Sequence, residues 1–444
     1  MSAVQVTSRY SGRDSADVIT ERRLRIPLEA AKYVGALDSR TLALIDCDAE
    51  VDVTRRFREV MDLFAPACVF TPAGFRVERL GNGHVVLDLV RDIGFDRGGI
   101  PRPTGVLFSA DSANPFEIRE CRHVIANVTC NPGIVYDLFL NNPEANVGGQ
   151  FGSLEEVLRE IADVVGPGCD VSVELRNPYE QDFGRILDEI QAYEDILTKY
   201  RLVVKVPHTG AISPGQAEQL LTGDGLLDHR CYDGSPGDLL RGHALALKLT
   251  ELGHRVNFTL MFEPYQTALA LQSRPYFINA FLRHRLNFAR RIEGLVAGYA
   301  ATDDTWFVKE LRSHLVAHHY LGRSEDTLDL LETLTVGKQL IASLVAGGND
   351  GLDSARSALS WLRSSTLDAT RLIICSMDGA GMFPAINSML EEPDFLDMHN
   401  RVLVTTDPRY LARWASSPQV ISYQQRFLKA VAAPPVSATG QPSN

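Results

Sequence analysis

Between residues 106 and 406 the chain alternates short apolar runs with longer amphipathic segments, and this rhythm limits the fold more than any other property of the sequence. A short apolar run bounded by turn formers reads as a strand buried on both faces, and a helical stretch after each run reads as the crossover of a βα unit. Eight strands are predicted: Val106 to Asp111, Val124 to Thr129, Asp170 to Leu175, Leu202 to Pro207, Val256 to Phe262, Tyr276 to Phe281, Arg371 to Met377 and Arg401 to Thr406. Eight is the number a closed sheet of this kind needs, so the expected fold is α/β, a (β/α)8 TIM barrel.

The connections fit that expectation. Ser153 and Glu156 have capping-box spacing, and Leu154, Val157, Leu158, Ile161 and Val165 fall on one face of the helix that follows. After the eighth strand, Asp407-Pro408 supplies an N-cap with Pro at the first helical position. Residues 208–242 and about 284–360 exceed what a plain barrel needs; both follow strand ends, where insertions form lids or contacts between subunits, so a homo-oligomer is compatible with them. The turn-rich stretch 98–105 divides an N-terminal extension (1–100, of no assigned role) from the barrel (101–433), and the Pro-, Ser- and Gly-rich 434–444 reads as a disordered tail. Within the extension, Thr41 to Asp46 is strand-like and Gly81 to His84 reads as a turn entering another strand.

Composition excludes several function classes. With 44 Lys+Arg against 56 Asp+Glu the net charge is -12, which opposes non-specific attraction to nucleic acid or to an anionic membrane surface. The apolar runs stop far short of the roughly 18 residues that span a bilayer, and the N-terminus carries no signal-peptide pattern. The reading is a cytoplasmic protein. Seven scattered cysteines without a C-x-x-C pair are small core residues in this reading.

Chemistry in such a barrel belongs to the C-terminal ends of the strands. There the sequence places Ser109 and Asp111, Thr129 and Asn131, Ser172 and Glu174, Lys205, then Asn257 and Thr259. A lysine held in an apolar strand has its charged form disfavoured by burial, which lowers its pKa and releases an amine able to attack a carbonyl. Glu174, Asp111 and Thr259 are of the types that dehydration and C–C cleavage then require as acid, base and water holder.

Five segments in this order resemble the transaldolase family. Phe-Ser-Ala-Asp-Ser-Ala-Asn-Pro-Phe-Glu-Ile (108–118) is similar to its first-strand motif, and Asn-Val-Thr-Cys-Asn-Pro-Gly (127–133) to Thr-Thr-Asn-Pro. Val-Ser-Val-Glu (171–174) resembles Val-Ser-x-Glu, Val-Lys-Val-Pro (204–207) resembles Ile-Lys-Ile-Pro, and Asn-Phe-Thr-Leu-Met-Phe-Glu-Pro-Tyr-Gln (257–266) resembles the fifth-strand motif. The resemblance implies a class I aldolase or transaldolase in which Lys205 forms a Schiff base and Asp111 handles the hydroxyl proton. Glu174 and Thr259 would hold the water, and Asn131 and Asn257 would bind a sugar or hydroxyketone. It implies no metal and no organic cofactor.

The sixth strand departs from the family pattern, in which a serine and an arginine grip a substrate phosphate. Asn279 takes the serine position and His284 the arginine position, flanked by Arg283 and Arg285, and all four are candidate substrate-binding residues. Glu263 replaces another serine, and the loop 376–383 has no basic residue. These departures point to a non-phosphorylated or unusual sugar in a specialised pathway. The alternative is a barrel without turnover, acting as a binding or regulatory subunit. Three bland readings stand beside the sharp ones: His314 and His318 at i, i+4 as a packed helix face, Gly379-Ala-Gly381 as a turn, and Arg283, Arg285, Arg290 and Arg291 as a charged helix face.

Overall fold

The computed structural model describes residues 106–432, except 123, 167–168, 198–200, 222–233, 323–329, 368–369, 378 and 415–416, together with five strands among the first hundred residues. Ala3–Ser8 pairs antiparallel with Arg22–Pro27. Val85–Val90, the strand expected after Gly81, pairs parallel with Val51–Val53 and antiparallel with Gly74–Arg79. The strand expected at Thr41 to Asp46, the junction at 98–105 and the tail 434–444 lie outside the described residues.

Eight parallel strands close into a barrel: β1 (Leu107–Asp111), β2 (Ile125–Cys130), β3 (Asp170–Glu174), β4 (Arg201–Pro207), β5 (Val256–Thr259), β6 (Phe277–Phe281), β7 (Arg371–Cys375) and β8 (Val402–Thr406). They neighbour one another in sequence order, and β8 pairs with β1 to complete the (β/α)8 TIM barrel. The fifth strand is shorter than its apolar run predicts. Leu260 takes a left-handed φ of 60°, which ends the ladder after Thr259 and turns the chain into the loop that carries Glu263.

Period-two alternation divides each strand between two environments. Val204 and Val206 face the helical layer and belong to the large core between sheet and helices, whereas Val203 packs inside the barrel with Leu107, Phe277, Ile373 and Leu403. Each such buried side chain contributes on the order of 1.5–3 kcal/mol. Below this layer, Tyr276 donates its hydroxyl to Asp170 Oδ2 (3.1 Å) and Arg371 reaches the same hydroxyl (3.2 Å), closing the barrel floor.

Helix Leu154–Val165 buries all five residues predicted for its inner face. Ser153 Oγ accepts from Glu156 N, but Glu156 returns its carboxylate to Gly152 N (2.7 Å) instead of Ser153 N, so the capping box closes one residue early. Asp407 Oδ1 caps helix Pro408–Trp414 through Arg409 N. The insertion after β6 is helical: Leu282–Thr302, Thr305–Ala317, Leu330–Ala346 and Asp353–Ser364. Phe288, Ile292 and Leu295 of the first meet Leu311 and Leu315 of the second in a core of their own. The first two helices approach closely because Gly298 has no side chain; a Cβ there would lie 2.4 Å from the Phe307 ring. Helix Pro418–Ala432 exposes Ile421, Phe427, Leu428 and Val431. Among the described residues no helix is long and apolar enough to cross a membrane.

Candidate active site

The closed barrel brings the strand-end residues onto one inner surface. Lys205 on β4 lies in register between Glu174 of β3 and Asn257 of β5, and Asp111 of β1 pairs with Thr129 of β2. Among the described residues no other lysine is buried. Lys205 Nζ sits 3.1 Å from Glu174 Oε2, with side-chain exposures of 9% and 12%.

This pairing corrects one expectation. Burial does push the Lys205 pKa down, but Glu174, Asp111 and the hydrogen bond to Glu174 act the other way and prevail, so the pKa is raised above its ordinary 10.5. The resting group is an ammonium. Burial pushes the Asp111 carboxyl up from 3.8; Lys205 pulls it back, and the Asp407 and Glu174 charges add to the rise. A buried cation thus lies within the field of two carboxyl groups, Glu174 in direct contact and Asp111 by charge, an arrangement suited to passing protons.

A polar layer continues around the interior. Asn279 Nδ2 donates to Asn257 Oδ1 (2.7 Å) and to Phe258 O (3.1 Å), and Asn257 Nδ2 donates to Ser172 Oγ (3.4 Å) on the next strand but one. That last contact bridges over β4 on the inner face of the barrel. On the opposite side Asn127 Nδ2 donates to Ser109 Oγ (2.8 Å). Asn127 Oδ1, Thr129 Oγ1 and Thr405 Oγ1 are buried without a hydrogen-bond partner. Such atoms are costly in a finished core unless water or a bound polar group meets them. Asn127 and Thr405 were not singled out from sequence; their inward register beside Ser109 is the signal that identifies them.

Other predicted residues are placed less centrally. Asn131 caps the turn after β2 by accepting from Ile134 N (2.9 Å), and with Glu174 and Arg176 it lines a small pocket beside the site. Thr259 is buried at the end of β5, where its carbonyl accepts from His208 N (3.0 Å). Gln266 Oε1 fixes the following turn through Phe262 N and Glu263 N.

The arginine group divides. Arg285 is 2% exposed and committed to Glu263 Oε2 and, at 2.6 Å, to Asp353 Oδ2, which removes it from the candidates for holding a substrate anion. Arg283 and Arg290 are exposed, and Arg291 pairs with Glu310 at 3.3 Å. His284 Nε2 and His318 Nδ1 both converge on Glu263 Oε1, at 3.1 and 2.9 Å. His318 also packs on His314, ring centroids 4.5 Å apart, and both rings meet Phe288, so the packed helix face is present as well; burial and the neighbouring His318 push the His314 imidazole down to about 4. Gly379, with φ of 72°, accepts from the Tyr410 hydroxyl through its carbonyl and serves as a turn.

Comparison with known proteins was informative at the level of family. Residues 108–319 match the family described as transaldolase/fructose-6-phosphate aldolase, a span running from β1 through the first two helices of the insertion. No curated protein matches the sequence. Among solved structures, a crystal structure described as a refolded lactate oxidase of Pediococcus acidilactici is similar at 9% identity and a TM-score of 0.31, covering 69% of this chain and 64% of that one. A likeness that weak carries no argument.

Proposed function

Because residues 108–319 match the transaldolase/fructose-6-phosphate aldolase family model, we propose that this barrel makes or breaks a C–C bond of a ketose or hydroxyketone through a Schiff base on Lys205. The observation that carries the reading is the buried Lys205–Glu174 pair, set at the strand ends of the barrel beside the raised carboxyl of Asp111.

The chemistry follows from that arrangement. The Lys205 ammonium first gives up a proton to a neighbouring carboxylate or to solvent, and the amine then attacks the substrate carbonyl. The new C–N bond gives a carbinolamine; protonation of its hydroxyl expels water and leaves an iminium facing Glu174. Thr259 and Glu174 hold that water. Asp111 as carboxylate takes the proton of the hydroxyl on the far carbon of the bond to be broken, β to the iminium carbon; that oxygen becomes the carbonyl of the departing aldehyde while the bond's electrons move into the iminium to form an enamine. Addition to an acceptor aldehyde is the same path reversed, so transfer of a dihydroxyacetone unit and simple aldol reaction use one set of residues.

Asn257, Asn279 and the Asn131 amide supply hydrogen bonds to hydroxyls, and the unpartnered Asn127 Oδ1, Thr129 Oγ1 and Thr405 Oγ1 favour a polyhydroxylated substrate. The commitment of Arg285 to two carboxylates supports a substrate not gripped as a phosphate. Arg283 and His284, at the start of the helix after β6, remain the rim residues closest in sequence to that strand end.

The test is a division of steps. Asp111→Asn is expected to retain Schiff-base formation with a panel of ketoses while aldol cleavage falls by at least about 100-fold, the usual weight of a positioned acid or base. If Lys205→Ala keeps full aldol activity, the mechanism is wrong; if no ketose reacts with the wild type, a binding role is favoured.

A further inference from the structure

We propose that Glu263, His284 and His318 form a binding site for one first-row divalent metal ion of the Zn(II) type, on the C-terminal rim of the barrel. This lies outside the Schiff-base chemistry and would stand if that reading failed. Three separate elements supply the groups: the loop after β5, the third residue of helix Leu282–Thr302, and the C-cap of helix Thr305–Ala317.

The geometry is that of a coordination face. Glu263 Oε1, His284 Nε2 and His318 Nδ1 all lie within 4.8 Å of one another, and both nitrogens are 3.1 Å or less from the oxygen. Ligand atoms about 2.0–2.1 Å from a tetrahedral ion lie about 3.3 Å apart, so a small inward or outward shift suffices. Two imidazole nitrogens and one carboxylate oxygen form a donor set suited to Zn(II) and its neighbours, and poorly to Mg(II) or Ca(II). With three protein ligands a fourth position goes to water or a ligand oxygen, and His284, one third exposed, leaves it accessible.

The surroundings hold these groups as supporting contacts hold metal ligands. Gln266 Oε1 anchors the Glu263 backbone amide at 2.8 Å, and Arg285 orients the second carboxylate oxygen. Asp353 already neutralises Arg285, so the Glu263 charge is available to an ion. Phe262 packs on His284 with ring centroids 5.0 Å apart, and Phe288 on His318 at 4.7 Å. Without an ion, two N–H donors share one oxygen; with one, the ion takes the place of both hydrogens, each imidazole shifting its proton to the other ring nitrogen or losing it to solvent.

The experiment titrates chelator-treated, full-length protein with Zn(II) by calorimetry and with Co(II) by visible absorption. One ion per chain and a tetrahedral Co(II) spectrum are expected, unaffected by excess Mg(II). His284→Ala and His318→Ala leave the Glu263–Arg285–Asp353 core in place, and each is expected to weaken binding at least about tenfold. Absence of one-site binding in the wild type, or unaltered affinity in both variants, overturns the proposal.

Discussion

Replacing Lys205 by Met tests whether the central ion pair is set as described. At 3.1 Å and an effective dielectric of about 20, the Lys205–Glu174 attraction is about 5 kcal/mol. Desolvating the two groups costs several kcal/mol each, so the pair as a whole is close to neutral for stability. Breaking it is not, because Lys205→Met leaves the Glu174 carboxylate, 12% exposed, without its cation. The expected loss is about 3 kcal/mol, and Glu174→Gln is expected to lose a similar amount. The double variant, in which neither charge remains, should lose only about 1 kcal/mol, giving a coupling energy of about 5 kcal/mol. Urea unfolding of the four proteins at pH 7 measures each value. A Lys205→Met variant within about 0.5 kcal/mol of wild type, or losses that simply add, would refute the reasoning.

Two further outcomes follow from the same site. Since the folded Lys205 pKa is raised above 10.5, the pair's stabilisation is complete below about pH 10.5 and is lost as pH rises through the raised value. Only the neutral amine attacks, so the rate of imine trapping should climb with pH, and Glu174→Gln, which removes the largest raising influence, should move that climb to lower pH; superimposable profiles would contradict the assignment. Gly242→Ala would set a Cβ 2.5 Å from the Pro207 carbonyl oxygen, pressing helix Arg241–Glu251 against the end of β4. A loss of about 1–3 kcal/mol in urea unfolding is expected, and a neutral result would show that the helix yields at no cost.

The barrel was legible because its signal is local. Each apolar run is bounded by its own turn residues, and seven of the eight predicted strands agree with the observed ones to within two residues at either end. The fifth overran by three, since nothing in Leu260-Met261-Phe262 announces that Leu260 will turn left-handed. Lys205, Asp111, Glu174 and Asn257 could be placed on the barrel for the same reason, each occupying an inward-facing position of a readable strand. What escaped is set by distance along the chain. His318 meets Glu263 across 55 residues and Arg285 meets Asp353 across 68, so neither partner could be read from helical spacing, although the His314–His318 packing that spacing suggested is present. The sign of the Lys205 shift also needed three dimensions: burial is readable from an apolar strand, but the carboxylates that outweigh it come from β1 and β3.

The central claim is that Lys205 is the amine that captures a carbonyl, and it is tested most directly by reductive trapping. Intact protein incubated with a panel of ketoses and borohydride, then digested and read by mass spectrometry, should carry the reduced ketose on the peptide containing Lys205 and on no other lysine. An adduct at a different lysine, or none with any ketose that the protein turns over, would contradict the account.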